Sequence, residues 1–425
     1  MTARPPIAAS AVPLPKRLSH RLKEALYRVA VLDAWLDARL ASPRSAALAA
    51  IREGLYLRLL PERRVRRSPF RPGAPLTRRA RVLTLVPPED TGGGSRPAQL
   101  AAELLRRGYA IDWTYALPIF PWPRSLRPGV PGVRIRHVSD PFPFTDPPDL
   151  CLVEAPHPRL VAEAEQLASR ARRTVVVYDA IDVWEGSLGA GWYDRHAEDA
   201  AIALARVLVA SAELLRGELA ERSRREVVLL PNAVDLALFD PSVPLPRPTD
   251  VVAGRPTVLY VGALWGEWVD VELITALARA LPCAEIHLVG PTGSRQLPSL
   301  PNLHVLGPRP QSDVPGYVAA ADVGIVPFVP DRVSQAVSPL KAFEYLAMGV
   351  PVVATALAEM QGRAGVTAAA TASEFIAAVA SATRSSEETN RLRSSVAGDC
   401  WPARVDRLLD VAGLASPMAA TDGAP

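Results

Sequence analysis

From residue 81 onward, short apolar runs alternate with helical stretches, and partway along the chain the whole cycle begins again. "RVLTLVPP" reads as a buried strand. "SRPAQLAAELLRRGYA" reads as a helix with Ser95 at its cap and Pro97 in its first turn. "PDLCLVEAP", "RTVVVYDAID", "ARVLVASA" and "REVVLLPNAVD" read as further strands. Runs this apolar need cover on both faces, which a parallel sheet wrapped by helices supplies. A proline-rich segment, "DPSVPLPRPTDVVAGRP", then has the composition of a linker. Beyond it, "TVLYVGAL", "AEIHLVGP", "LHVLGP", "ADVGIVPF" and "GVPVVAT" read as strands, with "DVELITALARAL" as a helix among them. The prediction is an α/β chain of two Rossmann-like, doubly wound parallel-sheet domains facing across a cleft. Ligands of such sheets bind beyond the carboxyl ends of the strands.

Charge divides the chain differently. Residues 1–81 hold 18 Lys and Arg against 5 Asp and Glu, whereas the remainder holds 30 against 39. The basic balance therefore belongs to an N-terminal arm, and the mildly acidic body is not built to grip nucleic acid. In the arm, Leu18, Leu22, Ala25, Val29, Leu32, Leu36 and Leu40 recur at helical spacing. After a break at Ser42–Pro43, Leu48, Ile51, Leu55 and Leu59 form a second stripe. Two amphipathic helices are expected, followed by the basic "PERRVRRSPFRPG". They suit a hairpin packed on the body, or a cationic face against anionic lipid. No membrane span and no signal peptide are expected. Cys151, Cys283 and Cys400 are too scattered for a disulfide framework or a zinc site, which points to a reducing cytoplasm. The expected boundaries are 1–78 for a basic helical arm, 79–240 for the first domain and 241–256 for the linker. Residues 257–385 form the second domain, and 386–425 the closing helices with a disordered tail.

The segment "SPLKAFEYLAMGVPVVAT" breaks a local rule. Ser338 suits an N-cap, Pro339 the first helical position and Gly349 the residue after the helix. Leu340, Phe343, Leu346 and Ala347 fall toward one face. Lys341 then lies in the first turn, where the helix dipole is already positive. A cation there makes sense if an anion sits before the helix, held also by its free N–H groups. Glu344, one turn on, would accept hydrogen bonds from hydroxyls such as a ribose diol. An i,i+3 surface ion pair, worth about 0.2–0.5 kcal/mol, fits the same spacing.

The segment resembles the nucleotide-binding signature of GT-B glycosyltransferases, most nearly the retaining family-4 group. "PNAVDLALF", "YVGALWGEWVDVELI", "LVGP", "ADVGIVPF" and "VVVYDAIDVW" agree with it in order and spacing, so the resemblance covers roughly residues 80–410. It implies a first domain on the acceptor side and a second that binds a nucleotide sugar. Glu344 corresponds to the family's ribose-binding glutamate and Lys341 to its donor-phosphate contact. Gly262 and Ala263 would bring backbone N–H groups to the phosphates, with Gly290, Pro291 and Arg309 near the base. Gly92, Gly93 and Gly94 form a turn that lets backbone approach a ligand. Asp179 falls where family members place a histidine or acid near the reacting sugar, and Asp182 is the runner-up. A helix cap or turn residue explains either aspartate equally.

Transfer of a sugar without a metal or other cofactor is what the resemblance implies, from a nucleotide diphosphate sugar to a glycan or lipid-linked acceptor. It implies a cytoplasmic enzyme of polysaccharide synthesis, and the basic arm suggests attachment at the inner membrane face. No metal-binding D-x-D stands at a convincing strand end. The departures point another way. Ala336 stands eight positions before Glu344, where many members carry a first glutamate, and "GALWGEWVD" lacks their arginine and lysine. Lys341, Arg309 or Arg332 would have to supply that charge. The alternative is a non-catalytic GT-B-like subunit that binds a nucleotide sugar or a partner. A sugar-nucleotide epimerase lacks matching acids here, and an NAD-linked dehydrogenase lacks a G-x-G-x-x-G between strand and helix.

Overall fold

The computed structural model describes residues 73, 75–88, 94–117, 132–138, 144–293, 295–382, 384 and 386–415. The helices expected over residues 18–59, the basic stretch up to residue 72, Gly92, Gly93 and the tail from residue 416 lie outside the described residues.

In the first lobe, β1 (Arg78–Thr84), α1 (Arg96–Arg106), β2 (Tyr109–Tyr115), β3 (Val133–His137) and β4 (Leu150–Val153) come first. They are followed by α2 (Pro158–Arg170), β5 (Val175–Ala180), α3 (Arg195–Leu204), β6 (Val207–Ala210), α4 (Glu213–Ser223) and β7 (Val228–Leu229). The sheet runs β3-β2-β1-β4-β5-β6-β7, every pair parallel. The second lobe starts with β8 (Thr257–Val261), α5 (Val271–Ala280), β9 (Glu285–Val289), β10 (Leu303–Gly307), α6 (Val314–Ala319) and β11 (Val323–Val326). Then come α7 (Arg332–Gln335), α8 (Leu340–Ala347), β12 (Val352–Thr355), β13 (Val366–Ala369), α9 (Ala372–Ser381), α10 (Ser386–Ser395) and α11 (Trp401–Val411). Its sheet runs β10-β9-β8-β11-β12-β13, again all parallel. The strand order reverses beside β1 and β4 in one sheet and beside β8 and β11 in the other. A crevice opens at such a switch point.

The sequence reading passes over β2 and β3 because charge interrupts them. Asp112 is fully buried and accepts from Arg79 (3.0 Å), Arg81 (3.3 Å) and Arg134 (2.7 Å). Arg136 of β3 pairs with Glu163 of α2. Ions buried in strands survive when paired and hydrogen-bonded, and here they pair across neighbouring strands and with the helix α2 that covers them.

The last helix does not stay with the second lobe. Trp401, Val405 and Leu408 of α11 join the same buried cluster as Leu100 and Leu104 of α1, and Arg107 bonds Asp406 at 2.8 Å. The C-terminus thus completes the core of the first lobe. Among the described residues, no helix is long and apolar enough to cross a membrane.

Candidate functional site

Helix α8 starts one residue later than the sequence suggests. Pro339 takes the cap position, and Ser338 does not cap. The Ser338 hydroxyl instead accepts the Asn232 N–H (3.2 Å), and its carbonyl accepts Asn232 Nδ2 (2.6 Å). A tertiary partner has displaced the local one. The far end follows the expectation. Gly349 has φ +68°, its N–H reaches the Leu346 carbonyl (3.0 Å), and Val350 N–H reaches Tyr345 (2.9 Å), which together form a Schellman motif. Phe343, Leu346 and Ala347 enter the second-lobe core, as their spacing predicts. Leu340 does not follow them: it packs against the first lobe's cluster.

This arrangement leaves Lys341 in the first turn, half-buried. Its Nζ lies 4.6 Å from the ring centre of Phe328 and 5.3 Å from that of Tyr260. Beside it the ends of β8 and β9 press together. A Cβ on Gly262 (φ +146°) would stand 3.4 Å from Lys341 Nζ. One on Gly290 (φ +153°) would stand 1.8 Å from the Gly262 carbonyl oxygen, so only glycine lets the two backbones meet there. Burial lowers the Lys341 ammonium to about 8, against the pull of Glu344. Burial raises the Glu344 carboxyl to about 7, opposed by the Gln311 amide that donates to it at 2.7 Å and by Lys341. Among the described residues, the Lys341 ammonium has neither a hydrogen bond nor an ion pair.

The first lobe offers a comparison. Arg96 opens α1, so it too is a buried cation at a helix start. It is neutralised internally: Nε and Nη2 grip Asp179 at 2.8 and 2.9 Å, and Nη1 reaches Asn232 (3.2 Å). Asp179, read from the sequence as the acid near the reacting sugar, is therefore the bidentate partner of Arg96. Through Asn232 the same chain of bonds continues to Ser338, and so to α8. Asp182 differs. It has no hydrogen bond or ion pair among the described residues, and burial raises its carboxyl to about 7.

Gly94 reaches the second lobe, where a Cβ on it would fall 2.5 Å from Gln311 Oε1. The glycine turn thus ends against the side chain that holds Glu344. Arg309 lies apart from Lys341 in function: Asp250 (2.6 Å) and Tyr317 (2.7 Å) hold its guanidinium. Arg332 is taken by Glu218 (2.9 Å) and Glu185 (3.4 Å) of the first lobe. Ala336 is wholly buried in the first lobe's apolar cluster. Of the three cations considered for a diphosphate, Lys341 alone is left without an anion bonded to it.

Three residues of this region escape the sequence reading. Glu154 follows β4 directly, is 4% exposed, and accepts from the Thr84 hydroxyl at the end of β1. Burial raises its carboxyl to about 8, and its Oε1 is buried with no partner. The signal was a carboxylate closing the apolar run "LCLV". Arg96 carried the same signal as Lys341, a cation opening a helix. Gln311 and its bond to Glu344 left no trace in the sequence.

Residues 255–385 match the family described as Glycosyl transferases group 1. That match takes in the second lobe from β8 to α9. The chain is 29% identical over 202 residues to TuaH of Bacillus subtilis, whose name describes a teichuronic acid biosynthesis glycosyltransferase. That match takes in 43% of this chain and 50% of TuaH, so the chain spans about half the length of the curated relative it matches. Solved structures share the fold at low identity. Sucrose-phosphate synthase of Thermosynechococcus elongatus is 15% identical, with TM-score 0.57, over 79% of this chain and 98% of that one. HepE of Anabaena, in complex with UDP and glucose, is 16% identical with TM-score 0.52, over 79% and 97%. The α,α-trehalose 6-phosphate synthase of Burkholderia multivorans is 12% identical with TM-score 0.58, over 79% and 98%. With both sheets parallel and α11 returning to the first lobe, the chain has the two-lobed GT-B fold.

Proposed function

We propose that the protein is a glycosyltransferase that moves a sugar from a nucleotide diphosphate sugar to a glycan or lipid-linked acceptor. The observation that carries this reading is the unpaired Lys341 ammonium at the start of α8, beside the backbone of Gly262. A half-buried cation at a positive helix end is unfavourable alone and favourable with an anion in front of it. Breaking the anomeric C–O bond sends an electron pair onto the leaving diphosphate. Lys341 and the helix start stabilise the charge that develops there. Glu344 accepts the ribose hydroxyls, and the first lobe positions the acceptor hydroxyl. The family match of the second lobe, the name of TuaH and the UDP in the HepE complex support the donor class.

In this reading the reaction is metal-independent and retaining, as the resemblance to the retaining family-4 group of GT-B glycosyltransferases implies. A donor panel finds the substrate. Turnover that survives chelation, with the product anomer read by NMR, tests both points, and activity abolished by EDTA and restored by a divalent ion contradicts the first. Lys341→Ala chiefly lowers turnover and Glu344→Ala chiefly weakens donor binding. Unchanged transfer by both variants removes the assignment.

A second reading, a non-catalytic nucleotide-sugar-binding subunit, is favoured by the charge available: Ala336 stands where many family members carry a glutamate, and Arg309 and Arg332 are held by other acids. Nucleoside diphosphate binding with neither transfer nor donor hydrolysis supports it. The excess of cations in residues 1–81 suits a cytoplasmic protein held at an anionic membrane face. Sedimentation with anionic vesicles that is unchanged by deleting residues 1–72 excludes that role for the arm.

A further inference from the structure

A cavity of about 470 Å³ lies beside the cleft, between the loop after β5, the helices α3 and α4, and Arg332 of the second lobe. Its size suits one or two sugar rings. Val183, Leu215 and Leu219 supply apolar wall, and Trp184 and Tyr193 supply rings. The Trp184 indole N–H is buried and has no acceptor among the described residues.

The charge on its walls is more telling. The three cations that line it are each taken by a carboxylate of the same wall. Arg195 pairs with Glu185 (2.5 Å), Arg222 with Glu198, and Arg332 with Glu218 (2.9 Å). Two carboxylates remain, half-buried Asp182 and, at the exposed rim, Glu221, and neither has an ion pair or hydrogen bond among the described residues. The cavity therefore offers spare acceptors and no spare cation. Hydroxyl groups satisfy such acceptors through charge-assisted bonds, and aromatic rings cover the apolar face of a pyranose. A carboxylate or phosphate would meet like charge at half-buried Asp182 wherever the pH lies above about 7.

We propose that this cavity is the acceptor subsite and that it takes a neutral, hydroxyl-bearing sugar in preference to an anionic one. The proposal rests on the glycosyl-transfer reading and narrows it: the group bound next to the reacting hydroxyl is an uncharged sugar unit rather than a uronic acid or a lipid diphosphate. Asp182 and Glu221 are the specificity-determining residues. Because Arg332 comes from the second lobe, the cavity is walled only while the lobes stand together.

The test uses the full chain and NMR of the tryptophan indole resonances, with that of Trp184 identified through Trp184→Phe. Methyl pyranosides at millimolar concentration are the neutral probes, and the matching uronates and sugar phosphates the anionic ones. Neutral pyranosides are expected to shift the Trp184 resonance and anionic ones to leave it in place. Above about pH 7, Asp182→Asn, which keeps shape, should weaken the neutral sugars about tenfold, the loss of one hydrogen bond to a charged group, and Glu221→Gln at the exposed rim should weaken them less. Glu221→Lys should turn the preference toward uronates. Anionic sugars that shift Trp184 as strongly as neutral ones, or no pyranoside shifting it at all, overturn the proposal. Binding of UDP in the same samples separates the two readings. UDP bound with the cavity silent defeats the subsite alone, whereas neutral sugars bound without any nucleotide affinity defeat the glycosyl-transfer reading and leave a sugar site.

Discussion

Two side chains one turn apart set opposite limits on nucleotide-sugar binding. Lys341 must carry its proton to attract a diphosphate, and burial brings that proton's loss down to about 8. Its contribution is present below that value and fades as pH rises through it. Glu344 must lose its proton to accept from a ribose, and burial brings that loss up to about 7. Its contribution is present above that value and fades as pH falls through it. Affinity for a nucleotide sugar, whose diphosphate keeps its charge over this range, is expected to peak between the two values. Calorimetric titration across pH checks this. Lys341→Met should flatten the alkaline limb and Glu344→Gln the acid limb, and a flat profile in the parent chain contradicts the assignment. In turnover, Lys341→Ala should cost on the order of 10²-fold, typical for one group aimed at developing charge. These two residues were legible in the sequence because their signal is local: a cap, a spacing of three and a cation on the wrong end of a dipole. The cap expected at Ser338 and the partners of Arg309 were not legible, for the opposite reason. Asn232 and Asp250, distant in sequence, hold them in the fold.

At the scale of elements, what positions the niche is close backbone contact. The loops after β8 and β9 touch through Gly262 and Gly290, and α8 stops at Gly349 so that the chain can turn into β12. Gly290→Ala would drive a methyl group into the Gly262 carbonyl and move the loop that lies against Lys341. Nucleotide binding should fall while the first lobe stays folded, which titration alongside circular dichroism would reveal. Gly349→Ala combines a left-handed backbone with a Cβ placed 2.6 Å from the Thr389 backbone. It should destabilise the second lobe by on the order of 2–4 kcal/mol. A denaturant midpoint equal to the parent's would show that the turn tolerates a side chain. The strands of both sheets were readable wherever they are apolar on both faces, but not the short edge strand β13, whose two middle residues are exposed. β2 and β3 were not, since Asp112, Arg134 and Arg136 look like loop chemistry until the partners on β1 and α2 are known. Glu154 was passed over likewise, as one more polar residue at a strand end.

For the whole molecule, the joint between the lobes has one dense part, a short stretch of the second lobe. Arg332 bonds Glu218 and Glu185, Ala336 enters the first lobe's apolar cluster, Ser338 bonds Asn232, and Leu340 packs beside the core that α11 completes. Lys341 follows immediately. A diphosphate held at Lys341 therefore binds next to every one of these contacts. The half-buried ammonium, uncompensated without a ligand, favours any arrangement that brings an anion to it. A ligand can shift the lobes only by as much as it favours one arrangement over another. UDP should favour the arrangement in which residues 332–341 stay docked, because undocking would pull apart the helix start that holds it. Hydrogen exchange is the appropriate measurement, since it reads local opening. With UDP present, amides of residues 332–341 should exchange more slowly, and so should those of α4 and of the segment around Asn232, which no nucleotide touches in this reading. Lys341→Ala should abolish both effects. Protection confined to the Gly262 and Gly290 loops, with α4 and Asn232 unchanged, would mean that the two lobes bind their ligands independently. The cavity beside Arg332 would then gain nothing from an occupied donor site.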